Sequence, residues 1–177
     1  MSGVVLVSET IEVGDITLTD YSIDVKNIIR EKALQFLEEA GNEVVSTTIR
    51  NSTRKTGQTA STYQYTMDEA DLGVHIGSDY ENAIWEEFGT GEFAEKKNGR
   101  KGWWVYIEGA TGNGTGGKVY ATLKEAKKAM RFLIVEKGLP AHVTKGKKAR
   151  RPFRNAYVST KLKIIKRAEQ IFGELGK

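Results

Sequence analysis

Apolar residues recur at helical spacing in two long stretches of the chain. Over residues 21–49 they fall three or four positions apart and leave a charged back, which predicts one long amphipathic helix. Gly41 lies within this stretch, and because glycine weakens a helix interior we expect a bend or a break there. The same spacing returns from Pro152 to about residue 175. Proline suits the first turn of a helix, where its missing N–H costs nothing, so a second long helix is predicted to begin at Pro152.

A shorter helix is predicted between these two from the signals at its ends. Thr122 is followed three residues later by Glu125, the pattern of a capping box in which each side chain bonds the other residue's backbone N–H. An apolar stripe continues to residue 134, and Gly138 and Pro140 then supply a stop. These signals predict a helix over residues 122–137.

Several short segments have the pattern of β-strands. Residues 4–18 alternate loosely between apolar and polar, which predicts one or two short strands or an extended arm. Residues 61–67 and 72–78 are predicted to pair as a hairpin across a short acidic connection. Residues 103–107 are aromatic and β-branched and therefore favour a strand, with residues 119–121 as its returning partner.

Together these elements predict an α+β fold, in which a small antiparallel β-sheet packs against two long helices and an additional shorter helix. Residues 80–88 fit either a short helix or a short strand, and residues 50–60, rich in Ser and Thr, are predicted to form a loop. No repeat and no clear linker divides the chain. We therefore expect a single α+β domain over residues 21–177, preceded by an N-terminal arm or short strands over residues 1–20.

The composition narrows the classes of protein that remain. Hydrophobic residues make up 39% of the 177 residues, and no apolar run approaches the roughly 20 residues of a membrane span, so no membrane partner is expected. The chain has no cysteine, which excludes disulfides, thiolate metal sites and thiol nucleophiles.

The net charge of +4 hides an uneven distribution along the chain. Residues 1–95 hold 18 acidic and 6 basic residues, whereas residues 96–177 hold 5 acidic and 21 basic ones. The basic half could bind nucleic acid or another polyanion. Alternatively, the acidic half of one copy could meet the basic half of the next in a head-to-tail ring. The third interpretation is that the two halves partly neutralise each other within one fold.

Candidate chemistry in the sequence is weak. Residues 112–118 satisfy the G-x4-G-K part of a phosphate-binding loop, but Val119 follows where the motif needs Ser or Thr, and the next helix is predicted to be capped at Thr122. A flexible hairpin loop is the better interpretation. His75 and His142 lack a partner at metal-ligand spacing, so each is expected to be an ordinary strand or loop residue. We therefore expect no enzyme activity, no catalytic or metal-binding residue and no cofactor.

Two charged clusters have no catalytic explanation. Glu86 and Glu87 are adjacent, and sequence neighbours point apart on a strand or a helix, so a surface or interface role is expected rather than paired acid–base chemistry. A basic run between residues 145 and 151 could bind phosphates, but it lacks the interleaved aromatic residues that would stack on bases. A solvated loop or a protein contact is the alternative for this run.

Several short segments then occur in a recognisable order. Thr56-Gly57 follows the first predicted helix, Gly77-Ser78 ends the predicted hairpin, residues 80–91 have the sequence YENAIWEEFGTG, and residues 149–156 have the sequence ARRPFRNA. This order resembles the tail-completion, or neck, family of long-tailed bacteriophages and prophages over about residues 22–175. The pairing of E-F-G-T with a downstream P-F carries most of the resemblance.

The resemblance implies a structural protein of the virion neck, assembled in the host cytoplasm, that joins the DNA-filled head to the tail. Its implied partners are other copies of the chain in a ring, the head-closure or connector protein, and the tail terminator or tail tube protein, with DNA in the channel as a further contact. The main alternative is a nucleic-acid-binding protein that uses the basic C-terminal half. In the neck interpretation Trp85 and Phe88 are aromatic interface anchors, although core packing is the better interpretation of Phe88 alone. The full set of candidate interface residues is Trp85, Glu86, Glu87, Phe88, Gly89, Thr90, Lys147, Lys148, Arg150, Arg151, Pro152 and Phe153.

Overall fold

The computed structural model describes residues 9–13, 15–53, 57–108 and 118–176. The helices are α1 Ser22–Asn51, α2 Gln58–Ser61, α3 Glu81–Phe88, α4 Leu123–Lys137 and α5 Pro152–Gly173. The strands are β1 Glu9–Val13, β2 Ile16–Asp20, β3 Gln64–Asp68, β4 Gly73–Gly77, β5 Trp103–Ile107, β6 Val119–Tyr120 and β7 Ala141–Thr144. Single 3-10 turns cover Gly91–Phe93 and Glu174–Gly176.

The α+β prediction is confirmed, with two long helices and a shorter one, but the strands form three small antiparallel sheets rather than one. Strand β1 pairs with β2, β3 pairs with β4, and β5 lies between β6 and β7. The first two pairs are hairpins with short connections, so each strand finds its partner locally. The predicted hairpin and the predicted return of the strand at residue 119 are both present. Strand β7 was not predicted.

The contacts group the chain into two compact units. The first comprises residues 1–50, 63–77 and 155–177, and the second comprises residues 51–62 and 78–154. The expected division into an N-terminal arm and one domain stays a prediction.

In the first unit, α1 and α5 pack side by side and run antiparallel. The rings of Phe36 and Phe172 meet edge to face with their centroids 6.0 Å apart. Further along, Lys163 lies 2.7 Å from Glu43, and the guanidinium of Arg167 donates to both carboxylate oxygens of Glu39. The bonds from Arg167 lower the pKa of Glu39 to about 2, below its ordinary value of 4.5, because they stabilise the charged form of the carboxyl group.

Gly41 lies inside α1 and does not break it, so the expected break is wrong, whereas the alternative of a bend stays a prediction. The residue is buried, and a Cβ placed there would lie 2.9 Å from the ring of Tyr65 and 3.1 Å from Val74. Tyr65 and Val74 belong to the β3–β4 hairpin, and the hydroxyl of Tyr65 accepts a hydrogen bond from Asn42. The glycine is therefore a place of close approach between helix and hairpin.

In the second unit, α4 covers the three-stranded sheet. Both bonds of the capping box form: the Glu125 N–H donates to the Thr122 side chain, and the Glu125 carboxylate accepts from the Thr122 N–H. Ala126 of α4 and Val105 of β5 are fully buried. The helix ends at Gly138, as its sequence predicts.

Three other boundaries differ from or refine the expectation. Helix α1 runs on to Asn51, and residues 58–61 form a helical turn, so the predicted loop over residues 50–60 is shorter than expected. Residues 81–88 are helical, which settles the ambiguity of the segment 80–88.

In the described part of the chain, no helix is long and apolar enough to cross a membrane.

Candidate functional site

Helix α3 has an inverted amphipathic pattern. Its buried residues are Ala83, Glu86 and Glu87, whereas its large apolar residues face solvent: Ile84 is 58% exposed, Trp85 40% and Phe88 42%. A surface helix ordinarily turns its apolar side chains inward and its carboxylates outward. The expectation of core packing for Phe88 is therefore wrong, and so is the surface location expected for the two glutamates.

Glu86 is buried because it ties together segments that are distant in sequence. Its Oε1 accepts hydrogen bonds from the backbone N–H of Thr53 at 3.0 Å and from the Thr53 hydroxyl. The ammonium of Lys147 lies 3.4 Å from the same oxygen, and the guanidinium of Arg150 lies 4.0 Å from it. The backbone carbonyl of Glu86 also accepts from the N–H groups of Arg150 and Arg151. A carboxylate that is 1% exposed is held here by charge and hydrogen bonding together.

Glu87 caps helix α5 from a distance of 66 residues. Its Oε2 accepts from the backbone N–H of Phe153 at 2.9 Å, and its Oε1 accepts from that of Arg154 at 3.2 Å. These are N–H groups of the first helical turn, which have no partner within the helix. Arg151, just before Pro152, offers no capping oxygen, so a carboxylate from elsewhere in the chain takes that place.

Gly89 and Thr90, which directly follow α3, also contact the segment 147–154. The Thr90 N–H donates to the carbonyl of Lys147, and the Thr90 hydroxyl accepts from the Lys147 N–H, both at 2.9 Å. Gly89 has a positive φ of 72°, and a Cβ there would lie 2.7 Å from the Phe93 carbonyl oxygen and 2.9 Å from the Ala149 nitrogen. Only glycine fits such a backbone without strain. The segment Glu86–Thr90 is thus fastened to the segment 147–154 at both ends.

The basic run is not a free solvated loop. Lys145 lies 3.2 Å from Glu92, Lys147 approaches Glu86, and Arg151 lies 3.7 Å from Glu95. The pKa of Glu92 is lowered by the Gly102 N–H and by Lys145, and the pKa of Glu95 is lowered by Arg154, which binds it through two N–H groups. Most ion pairs between described residues join an acidic residue of the first half to a basic residue of the second. This favours neutralisation within the fold over the head-to-tail use of the same charges.

The candidate interface residues therefore divide into two sets. Trp85, Phe88 and Lys148 are exposed, and Lys148 carries no ion pair among the described residues, although its ammonium lies 5.8 Å from the ring centroid of Phe93. The other set binds the chain to itself and contains Glu86, Glu87, Gly89, Thr90, Lys147, Arg150, Arg151, Pro152 and Phe153. Sequence reasoning missed Ile84, which completes the exposed apolar patch of α3. The four-residue spacing of Ile84 and Phe88 on a helix was the signal that could have found it.

The remaining candidates for chemistry are isolated. His142 lies 3.2 Å from Glu108 and against the ring of Tyr106 at 5.3 Å, and His75 stands on β4 opposite Thr66. Among the described residues, no three His, Cys, Asp or Glu side chains gather as metal ligands. The glycine-rich run 112–117 lies outside the described residues, and α4 begins at Leu123 rather than at Lys118.

Comparison of the chain with protein-family models, with curated proteins and with solved structures gave no match.

Proposed function

We propose that this chain is a non-enzymatic structural protein of the bacteriophage neck, which forms a ring with other copies of itself between the head-closure or connector protein and the tail. The proposal begins from the resemblance of the E-F-G-T and P-F segments to the tail-completion family. Its partners are the ones that the resemblance implies.

The observation that carries the proposal is the outward apolar face of α3, formed by Ile84, Trp85 and Phe88. Adjacent exposed aromatic and aliphatic side chains mark interaction surfaces, and large aromatic residues supply most of the binding energy at such surfaces. The short helix cannot rotate to bury them, because Glu86 and Glu87 fasten its opposite side to the segment 147–154.

The contacts within the second unit support the idea that the two resembling segments act as one structural part. The E-E-F-G-T segment and the P-F segment are joined through Glu87, whose carboxylate bonds the N–H of Phe153. A motif pair that is distant in sequence but bonded in space presents one rigid surface. Rigid surfaces lose little conformational entropy on assembly.

The alternative of a nucleic-acid-binding protein that uses the run 145–151 is less well supported. The cations of Lys145, Lys147 and Arg151 already face carboxylates of the same chain. A phosphate would have to displace those partners before it could bind.

The experiment that tests the proposal is deletion of the chain from the phage or prophage that encodes it, followed by complementation. Without the chain we expect DNA-filled heads and separate tails in electron micrographs. Complementation with a Trp85→Ser, Phe88→Ser variant should leave assembly defective while the far-UV circular dichroism of the purified variant stays unchanged, because both side chains are already exposed.

The matched control replaces two apolar residues that are more exposed than Trp85 and Phe88, through Ile16→Ser and Val25→Ser, at 64% and 52% exposure. This control should restore virions. Normal infectious virions in the deletion strain would disprove the neck assignment. Equal failure of the two variants would show that α3 is not the specific anchor.

A further inference from the structure

The solvent side of α4 carries a continuous line of cations. Lys124, Lys127, Lys128 and Arg131 are all exposed and stand at positions i, i+3, i+4 and i+7, which places them on one side of the helix. The opposite side of the helix, with Ala126 at its centre, packs on the sheet of β5, β6 and β7. We call these four residues the α4 basic stripe.

The α4 basic stripe differs from the run 145–151 in its lack of partners. None of its four cations forms an ion pair or a side-chain hydrogen bond with another residue of the described ranges. The nearby carboxylate of Glu125 is engaged with the N–H of Thr122 in the capping box. Like charges at this spacing repel one another, so the arrangement destabilises the helix slightly unless an anion lies against it.

The surroundings of the stripe favour one class of ligand. A membrane surface would need exposed apolar side chains among the cations, whereas the exposed apolar residues of α4, Phe132, Ile134 and Val135, all follow Arg131 in the last turns of the helix. A protein partner would need an apolar centre, because lysine is depleted at protein interfaces, and α4 has no exposed apolar residue between Lys124 and Arg131. A linear polyanion needs only regularly spaced cations. The stripe spans about 10 Å along the helix axis at 1.5 Å per residue. Four successive phosphates of one DNA strand, separated by three steps of 3.4 Å, span about the same length.

We propose that the α4 basic stripe binds the phosphate backbone of nucleic acid, without reading base sequence. This site is distinct from the run 145–151 and does not depend on the neck assignment.

The test measures the salt dependence of DNA binding with the purified full-length chain. The probe is a fluorescein-labelled 30-base-pair duplex of mixed sequence, followed by anisotropy between 50 and 200 mM NaCl. The stripe variant is Lys124→Gln, Lys127→Gln, Lys128→Gln, Arg131→Gln, because glutamine keeps helix propensity while it removes charge. If each cation neutralises one phosphate, the log–log salt slope should be about 3.6 smaller in magnitude in the variant. Over the fourfold salt range, wild-type affinity should then fall about 150-fold more than that of the variant.

The matched control removes four exposed cations from other places, through Lys96→Gln, Lys101→Gln, Lys161→Gln and Lys166→Gln. It has the same net charge as the stripe variant and should keep most of the wild-type slope. A third variant, Lys124→Arg, Lys127→Arg, Lys128→Arg, replaces the side chains but keeps their charge. It should bind DNA as the wild type does, which shows that a loss in the glutamine variant comes from charge and not from damage to the helix. Circular dichroism verifies the fold of each variant.

Three results would overturn the inference. The first is no DNA binding by the wild type at 50 mM NaCl. The second is an equal loss of slope in the stripe variant and the control, since the effect would then be net charge alone. The third is a stripe variant with unchanged DNA binding but altered self-association by light scattering; the first result combined with binding to anionic lipid vesicles is the lipid form of the same outcome. Either form of the third result would assign the stripe to another partner.

Discussion

Replacement of Glu87 tests whether the α3 segment holds the start of α5. In the wild type its two carboxylate oxygens accept from the N–H groups of Phe153 and Arg154 at 2.9 and 3.2 Å. In Glu87→Ala both N–H groups lose their acceptor. In Glu87→Gln one acceptor oxygen remains, and the amide N–H2 faces the other backbone N–H.

The expected loss follows from the burial of the groups involved. An unsatisfied buried N–H costs about 1–3 kcal/mol, and loss of a helix N-cap costs about 0.5–2 kcal/mol. Glu87 is 8% exposed, but Phe153 is only half-buried and Arg154 is exposed, so water replaces part of the lost bonding. We therefore expect Glu87→Ala to lower the free energy of unfolding by about 2 kcal/mol, and Glu87→Gln by about 1 kcal/mol.

Urea unfolding followed by circular dichroism measures the free energy, and amide hydrogen exchange locates the change. The control is Glu136→Ala on the exposed side of α4, which should alter the free energy of unfolding by less than about 0.5 kcal/mol. In Glu87→Ala, amide exchange should accelerate more at Phe153 and Arg154 than at other residues. Equal effects of Glu87→Ala and Glu136→Ala, or unchanged exchange at those two amides, would refute the capping argument.

Three further predictions concern packing, pairing and pH. Gly41→Ala should lower the free energy of unfolding by about 1–3 kcal/mol, because the new Cβ would lie 2.9 Å from the Tyr65 ring. A Cβ at Gly77 would have no atom within 4 Å, so Gly77→Ala should leave the stability unchanged. Urea unfolding of both variants tests this difference. Lys147→Gln should destabilise by about 1 kcal/mol through its contact with buried Glu86, and Lys148→Gln should not; equal melting temperatures for the two would contradict the pairing. Glu39 has a lowered pKa, about 2 against 4.5, so its contribution to stability is full above pH 4.5 and disappears as the pH falls through 2. The difference in Tm between wild type and Glu39→Gln should therefore shrink from pH 5 to pH 2, and a constant difference would disprove the linkage.

Local signals in the sequence were sufficient for most of the secondary structure. Thr122 and Glu125 bond each other across three residues, so the start of α4 could be predicted from the chain alone. Pro152 likewise marks the first residue of α5. Gly41 was misinterpreted because propensity describes an isolated helix, whereas here the glycine makes room for Tyr65.

The candidate site was only partly predictable. The resemblance placed Trp85, Phe88 and the E-F-G-T and P-F segments in one candidate interface, which stays a prediction. The sequence analysis gave the two glutamates the wrong location. A carboxylate is expected at a surface unless charged and N–H partners surround it. For Glu86 those partners are Thr53, 33 residues earlier, and Lys147, 61 residues later. Periodicity and composition contain no information on such separations.

The sequence by itself determined the α+β class, the helix ends that local caps define, and the strands that pair with near neighbours. Only the tertiary structure decided which charges are neutralised and which side of α3 faces outward. The physical reason is that capping and hairpin pairing act over a few residues. The burial of an ionised group, by contrast, depends on partners that chain folding brings from far away. The same difference separates the engaged cations of the run 145–151 from the unpartnered ones of α4, although the two segments have similar charge in the sequence.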